Sequence, residues 1–384
     1  MTNAELSARD LAHVWHPCTQ MQDHEWLPLV PIRSGCGAWL EDFDGKHYLD
    51  AISSWWVNLF GHCHPAIVGA VKDQLDRLEH VLLAGFTHAP VVELSERLVR
   101  IAPAGLTRCF YADNGSAAVE VALKMSFHYW KNLGRSQKKN YIGLSNSYHG
   151  ETLGALAVGD VDLYKKTYAP LLMQAISVPS PDCYGRDADA SWEAHSRAMF
   201  AHMEEALARH AHETCAVIVE PLVQCAGHMR MYHPVYLSLL REACDRHGVH
   251  LIVDEIATGF GRTGSLFACE QASIRPDFML LSKGLTGGFL PLAAVLTTDT
   301  VYQAFYGDYA TLKAFLHSHS YTGNPLACRA ALATLDLFAA SDVLGNNRRL
   351  AQQMGRAVAA LQDHPHVAEV RQTGMILAIE MAPD

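Results

Sequence analysis

The sequence predicts an α/β protein with a mostly parallel central sheet and helices on both faces. Three segments at 215–221, 249–255 and 277–283 have apolar centres made of aliphatic, aromatic and β-branched residues. Strands that are buried on both faces have this composition, and stretches with helical periodicity lie between the three segments. Such alternation is typical of a parallel sheet built from strand–helix–strand crossovers.

The N-terminal segment, residues 1–57, is different in composition and predicts the first part of a small lobe. It is rich in aromatic, Gly and Pro residues, and within 35–50 an Asp44-Gly45 turn joins two strand-like arms. An Asp-Gly pair between two such arms predicts a β-hairpin. The segment lacks the basic region and apolar run of a secretory signal peptide.

Residues 58–345 predict the large α/β domain. The segment 107–116 ends a short strand and opens a helix at 117–132. A second helix at 234–248 stops at Gly248, because glycine readily takes the left-handed conformation that ends helices. Beyond 345, a helix at 347–364 and a strand at 375–381 predict a C-terminal part that completes the small lobe.

Composition excludes several classes of protein. Of the 384 residues, 49% are hydrophobic, which disfavours a disordered chain. The chain carries 30 Lys+Arg against 40 Asp+Glu, and this net charge of −10 disfavours a nucleic-acid-binding protein. The chain has no apolar stretch of ~18–20 residues, so no membrane span is expected. Its 10 cysteines are scattered without a CxxC pair, which favours a reduced, cytoplasmic protein. His62 and His64 lack further ligands at metal-site spacing, so no metal is predicted.

Four polar groups follow predicted strands at their carboxyl ends: the segment 114–116, Glu220, Asp254 and Lys283. Ligands of open parallel sheets bind outside this edge. Lys283 precedes a Gly-rich loop, 284–288, where it either extends into solvent or serves a site. Asp254 ends a strand 283 − 254 = 29 residues earlier, one crossover away, which favours the second interpretation.

A lysine amine beside a carboxylate is the arrangement that pyridoxal phosphate chemistry requires. The lysine binds the cofactor carbonyl, and the carboxylate keeps the ring nitrogen protonated. Gly115 and Ser116 open a helix whose N–H groups and hydroxyl suit a phosphate. Tyr148 supplies an aromatic face that could lie over the cofactor ring.

A competing motif lies at 259–264, where the sequence reads G-x-G-x-x-G. A dinucleotide-binding fingerprint follows its strand directly and opens a helix, with an acidic residue about 20 positions later at a strand end. Here residues 256–258 intervene, and Asp277 begins a strand instead of ending one. The nicotinamide interpretation is therefore disfavoured.

The segments 252–270 (IVDEIATGFGRTGSLFACE) and 276–288 (PDFMLLSKGLTGG) resemble the class III aminotransferases, which have the fold type I architecture of pyridoxal phosphate enzymes. Segments at 15–17, 53–56, 88–90 and 227–234 are similar to one branch of that family. This branch transfers the amino group of S-adenosyl-L-methionine to 8-amino-7-oxononanoate, giving 7,8-diaminononanoate in biotin synthesis. Two alternatives remain open: a class III ω-aminotransferase with a different donor, and an inactive cofactor-binding protein.

The resemblance implies roles around the cofactor. Lys283 would carry pyridoxal 5'-phosphate covalently, Asp254 would pair with its pyridine nitrogen, and Tyr148 would act beside them as a third catalytic residue. Gly115 and Ser116 would hold the phosphate. His319 and Ser320 of the second subunit of a homodimer would join them.

The resemblance also implies a substrate pocket. Trp55, Tyr148 and Ser318 would line it, with Trp55 rather than Trp56 facing the site. Arg262 would shape the binding of a substrate carboxylate, and Glu220 would orient pocket side chains.

The sequence departs from the family pattern at two places, and each departure predicts a change in substrate recognition. Cys18 stands where well-known members place a tyrosine that stacks on the donor's adenine, so weaker adenine recognition is expected. The sequence ends at Asp384, where relatives continue for several dozen residues and carry an arginine for the acceptor carboxylate. Residues 346–384 are therefore expected to be the start of a truncated C-terminal domain, with poor acceptor turnover.

Overall fold

The computed structural model describes residues 1–382. Its strands are β1 (Ile32–Cys36), β2 (Trp39–Asp42), β3 (His47–Leu49), β4 (Leu106–Ala112), β5 (Asn140–Leu144), β6 (Ile176–Val178), β7 (Thr214–Val219), β8 (Val223–Gln224), β9 (Arg230–Met231), β10 (His250–Asp254), β11 (Phe278–Leu281), β12 (Ala293–Thr298), β13 (Val367–Thr373) and β14 (Ile376–Met381). Its α-helices are α1 (Asn3–His13), α2 (Ser53–Trp56), α3 (Pro65–Leu75), α4 (Ala89–Ile101), α5 (Gly115–Asn132), α6 (Leu153–Val158), α7 (Asp162–Lys165), α8 (Trp192–His210), α9 (Val235–His247), α10 (Asp299–Gln303), α11 (Pro325–Ala340) and α12 (Val343–Val358). Short 3₁₀ helices lie at Met21–Glu25, Lys166–Leu171, Ala268–Ala272, Lys283–Thr286, Tyr309–Thr311 and Ala359–Asp363.

A seven-stranded sheet forms the centre of the molecule, with strand order β4-β12-β11-β10-β7-β5-β6. Neighbouring strands pair in parallel except β12, which is antiparallel to both β11 and β4. The strand β12 is reversed because only the short segment 282–292 joins it to β11, whereas a crossover between parallel strands usually needs a dozen or more residues. The predicted mostly parallel sheet is confirmed, with β12 as its one reversed strand.

Helices cover both faces of this sheet, as predicted. Side chains alternate along each strand: Ile218 and Ile252 pack with α5 on one face, whereas Val219 and Val253 face the core formed with α4, α8, α9 and α11. Strands β7, β10 and β11 are buried along their whole length. Their lack of a polar face explains the continuous apolar runs in the sequence.

The two ends of the chain form separate small sheets. The predicted hairpin is confirmed: β2 and β3 pair antiparallel around a turn in which Gly45 has a φ of 86°, and β1 adds a third strand. At the other end, β13 and β14 form a two-stranded antiparallel hairpin. Strand β13 is absent from the sequence-based prediction because its residues are only partly buried, with little alternation. Within residues 1–382, no helix is both long enough and apolar enough to cross a lipid bilayer.

Several element ends follow from local chemistry. Asn114 caps α5 by accepting a hydrogen bond from the Ala117 N–H (3.0 Å), so the helix begins at Gly115. Helix α9 ends where Gly248 takes a left-handed φ of 60°.

His250, at the start of β10, is a buried neutral histidine. Its ring stacks on Trp130 at 4.7 Å, and its Nδ1 lies 2.9 Å from Ser126 Oγ. Burial lowers its pKa from 6.5 to about 4. As the pH falls from 6.5 to about 4, this histidine takes up a proton in the unfolded chain but stays neutral in the folded chain. Protonation therefore favours the unfolded state, and the free energy of unfolding decreases as the pH falls through this range.

We predict that His250→Gln makes the free energy of unfolding less dependent on pH between 6.5 and about 4. One proton changes this slope by about 1.4 kcal/mol per pH unit. Urea unfolding of both proteins across this range measures the difference, and His202→Gln, at an exposed position on α8, is the control. Equal slopes for wild type and His250→Gln would contradict the prediction.

Candidate active site

A pocket of about 170 Å³ lies at the carboxyl edge of the central sheet. It brings together all four polar groups that follow predicted strands: Asn114–Ser116, Glu220, Asp254 and Lys283. Trp56 of α2 and Cys225, which follows β8, line this pocket. The other lining residues lie at or after the ends of β4, β5, β7, β10 and β11: Asn114, Gly115, Ser116, Tyr148, His149, Gly150, Glu220, Asp254, Ile256, Ala257 and Lys283.

Lys283 follows β11 in a left-handed conformation, with a φ of 46°. Its Nζ lies 4.9 Å from the centre of the Trp56 ring. Burial lowers the pKa of the amine, while Cys225, Asp254 and Glu220 act in the opposite direction. A lysine with a lowered pKa has a larger neutral fraction near neutral pH, so it can act as a nucleophile or a base.

Asp254 ends β10 and is 4% exposed. Its Oδ2 lies 2.8 Å from Nδ1 of the buried His149, and its Oδ1 accepts a hydrogen bond from the Ile256 N–H (3.1 Å). These contacts fix the carboxylate in one orientation within the pocket. On the far side of the imidazole, Nε2 of His149 is buried and has no hydrogen-bond partner among the described residues.

Glu220 follows β7 and links two loops around the pocket. Its Oε2 accepts from the Tyr148 N–H and its Oε1 from the Cys225 N–H, both at 2.9 Å. Burial raises its pKa to about 7, although His149 and the two backbone donors lower it. Its contacts are to backbone groups, so it holds the backbone of these loops.

The N-terminus of α5 forms one end of the pocket. Ser116 Oγ accepts from the Glu151 N–H at 3.2 Å. Gly150 approaches this hydroxyl so closely that a Cβ at position 150 would lie 1.9 Å from Ser116 Oγ, and its φ is 116°. Free N–H groups at a helix N-terminus, with a hydroxyl beside them, suit an anion such as phosphate.

The mouth of the pocket carries a carboxylate that the sequence-based reasoning missed. Glu151 Oε1 accepts from the Tyr148 hydroxyl at 2.9 Å, and the thiol of Cys18 lies 3.8 Å away. Burial and Glu151 both raise the pKa of Tyr148 and of Cys18. Cys18 is thus beside the pocket, in contact with the residues that form its rim.

The two neighbouring tryptophans take different positions. Trp56 lines the pocket, whereas Trp55, the one expected to face it, is 59% exposed. The reason is the backbone: residues 53–56 have φ values of 50°, 46°, 72° and 66°, a left-handed turn in which the alternation of an extended strand does not apply. Left-handed conformation costs about 1–2 kcal/mol per non-glycine residue, so other contacts must hold the turn.

Two side chains hold this turn. Asp50 accepts hydrogen bonds from the backbone and the hydroxyl of Ser54, at 2.9 and 2.8 Å. Arg262 donates to the Trp56 carbonyl. The guanidinium of Arg262, whose pKa is lowered by burial, is therefore engaged with the backbone next to the pocket but does not line it.

Ser318, His319 and Ser320 do not line the pocket of their own chain. They lie in the segment before α11, where Ser318 and Ser320 are exposed and His319 Nε2 is 3.2 Å from His317 Nε2.

The residues present fit a planar cofactor that bears a carbonyl, a ring nitrogen and a phosphate. Lys283, Asp254 and the N-terminus of α5 offer an amine, a fixed carboxylate and an anion site around one cavity. Among residues 1–382, no three His, Cys, Asp or Glu side chains are grouped so that they could hold a metal ion.

Sequence reasoning missed four residues at this site: His149, Glu151, Trp56 and Cys225. His149 directly follows Tyr148, which the sequence analysis places at the site. The close spacing of Tyr148, His149 and Glu151 after β5 was the available signal. No local signal marks Cys225, which reaches the pocket through its bond to Glu220.

Comparison with known proteins identifies the family. The profile described as aminotransferase class-III matches residues 20–384. The chain is 49% identical over 382 residues to the adenosylmethionine-8-amino-7-oxononanoate aminotransferase of Helicobacter pylori, an alignment that covers 98% of this chain and 85% of that protein.

Solved structures agree with this assignment. The aminotransferase of the same name from Methanocaldococcus jannaschii superposes with a TM-score of 0.93 at 37% identity, covering 99% of this chain and 85% of that one. An omega transaminase from Pseudomonas jessenii, solved in complex with PMP, gives a TM-score of 0.93 at 28% identity, covering 98% and 83% of the two chains. The family that the motifs indicate is thereby confirmed: this chain belongs to the class III aminotransferases.

Proposed function

We propose that this protein is a pyridoxal 5'-phosphate-dependent aminotransferase of biotin biosynthesis, acting in the cytoplasm. It transfers the amino group of S-adenosyl-L-methionine to 8-amino-7-oxononanoate and so produces 7,8-diaminononanoate. The observation that carries this proposal is the meeting of Lys283, Asp254 and the α5 N-terminus around one pocket. The substrates follow from the 49% identity to a relative named for this reaction.

When bound, pyridoxal phosphate supplies an electron sink for the negative charge that develops on the substrate carbon beside the transferred amine. Asp254, oriented by His149, would keep the ring nitrogen protonated. Gly115 and Ser116 would hold the phosphate, and Tyr148 would lie beside the ring.

Lys283 would hold the cofactor through its Nζ, and the same amine would hold or move a proton during the transfer. Because burial lowers the pKa of this amine, it is suited to act as a base near neutral pH. The centre of the Trp56 ring lies 4.9 Å from this Nζ, so the indole forms the surface beside the amine.

Recognition of the two substrates is assigned to the rim of the pocket. Cys18 and Tyr148 contact the donor at this rim, whereas Trp55 and Ser318, which do not line the pocket of their own chain, would contact it only outside that pocket. The thiol of Cys18 offers no face for stacking, so the adenine is held less tightly than by a tyrosine at this position. Arg262, which bonds to the Trp56 carbonyl, shapes the carboxylate end of the pocket through the turn that it holds.

We predict that the holoenzyme converts the two proposed substrates to 7,8-diaminononanoate and that Lys283→Ala abolishes this turnover. Mass spectrometry of the product measures the conversion, and borohydride reduction followed by peptide mapping should place the cofactor on Lys283. Cofactor on another lysine would contradict the assignment. Turnover with another amine donor alone would favour a different class III ω-aminotransferase, and bound cofactor without turnover an inactive binding protein.

We predict that Gly150→Ala weakens cofactor binding at least about tenfold, since the added Cβ would lie 1.9 Å from Ser116 Oγ. Gly185→Ala is the matched control: Gly185 also has a positive φ, of 73°, but its Cβ would meet nothing within 4 Å. Titration of the apoenzyme with pyridoxal phosphate, followed by absorbance, measures both affinities. Equal losses in the two variants would show that backbone strain, rather than the contact with Ser116, decides binding.

We predict that the protein is a homodimer in which His319 and Ser320 of each subunit complete the phosphate site of the other. Their position outside their own pocket supports this proposal. So does the exposure of Tyr309 (93%) and Leu316 (87%), large apolar side chains in the preceding segment. Light scattering should give about twice the chain mass of 42.3 kDa, and a value near the chain mass itself would contradict the proposal.

A further inference from the structure

The C-terminal hairpin of β13 and β14 contacts two loops that border the candidate active site. Its turn approaches the loop of Arg262, where the Met375 N–H donates to the Arg262 carbonyl at 2.7 Å. A Cβ at Gly374 would lie 2.4 Å from the Thr263 carbonyl carbon. This approach is possible only for glycine, so the hairpin is seated directly on the backbone of that loop.

The second contact is made by Arg371, a charged residue in β13 that is only 4% exposed. Its Nε donates to the Met229 carbonyl at 2.9 Å, and a terminal nitrogen donates to the His228 carbonyl. Glu369 and Glu380 accept from the same guanidinium at 3.1 and 2.7 Å. The guanidinium of Arg371 thus connects two adjacent backbone carbonyls of one loop with two carboxylates of the hairpin.

The loop that Arg371 holds is strained. His228 and Met229 have φ values of 64° and 53°, two consecutive left-handed residues without glycine. Such a backbone persists only where surrounding contacts determine it. Besides Arg371, the Asn146 side chain donates to the Gly227 carbonyl at 2.7 Å.

The other end of this loop forms part of the pocket wall. Cys225 lines the pocket together with Lys283, and its N–H donates to Glu220 at 2.9 Å. The Met229 N–H donates back to the Cys225 carbonyl at 3.1 Å, so the residues that Arg371 holds are bonded to the residue in the wall.

We propose that Arg371 is a positioning residue for the reaction, which holds the wall at Cys225 in place from outside the pocket through the carbonyls of His228 and Met229. The kinetic part of its test rests on the proposed function, whereas the contacts of Arg371 and the exchange measurement do not. A purely structural role, in which Arg371 fastens the hairpin to the body of the protein, predicts a loss of stability without a change in the pocket wall.

The test compares Arg371→Lys and Arg371→Gln with Glu369→Gln as the matched control. Lysine keeps the positive charge opposite Glu380 but lacks the planar fork that reaches two carbonyls at once. Glu369→Gln removes a charge from the same cluster and leaves both carbonyl bonds in place. All three are studied as holoenzymes, so the cofactor absorbance of each is recorded beside its kinetics.

In both Arg371 variants we expect faster hydrogen–deuterium exchange of the amides of Cys225 and Met229. We also expect kcat/KM to fall about tenfold, mainly through KM, with cofactor content unchanged. Glu369→Gln should resemble wild type in exchange and in KM. If Arg371→Gln fails to fold, Arg371→Lys decides the question.

Unchanged exchange at Cys225 and Met229 in the Arg371 variants would overturn the proposal, as would an equal effect in Glu369→Gln. A lower melting temperature with unchanged KM and exchange would assign Arg371 the purely structural role. Failure of the wild type to use the proposed substrates would refute the function alone, because the exchange comparison needs no turnover.

Discussion

The candidate site depends on the parallel pairing of β10 with β11 inside the fully buried centre of the sheet. In this register Asp254 lies opposite Leu280, so the carboxylate and the segment that leads to Lys283 leave the sheet at the same edge. Both strands are buried along their whole length, so the close packing of side chains on both faces, rather than an alternation of polar and apolar residues, sets this register. The packing of apolar side chains therefore brings an amine and a carboxylate together, at a place where neither would be stable without a partner.

The groups around this pair compensate for burial through a small number of specific bonds. Asp254 is held by His149 and the Ile256 N–H, and Glu220 by two backbone donors from separate loops. These loops follow different strands, so the carboxylates connect parts of the chain that are distant in sequence. The same bonds fix the orientation of Asp254 in the pocket and hold the backbone of Tyr148 beside it, so the bonds that compensate for buried charge also fix the shape of the site.

Strain in the backbone is concentrated beside the pocket. The turn 53–56, the pair His228–Met229 and Lys283 itself all have left-handed φ values. Each is supported by a charged side chain or a short hydrogen-bonded turn, with Asp50 and Arg262 for the first and Arg371 for the second. Arg262 and Arg371 both act on carbonyl groups, and the hairpin that carries Arg371 also contacts the backbone of Arg262. The C-terminal hairpin is in this way part of the framework of the site.

The sequence by itself determined the features that depend on local composition. Apolar runs marked the buried strands, Gly248 marked a helix end, and the spacing of Asp254 and Lys283 on adjacent strands indicated the cofactor chemistry. Only the tertiary structure decided which tryptophan meets Lys283, because nothing in residues 53–56 signals a left-handed turn that is held by Asp50 and Arg262. The same is true of His149 behind Asp254, 105 residues away, and of Arg371 on the far side of the pocket wall. These positions are set by bonds between segments that are distant in the sequence. A sequence pattern reflects the composition of one segment, but it does not show which other segment will contact it in the folded protein.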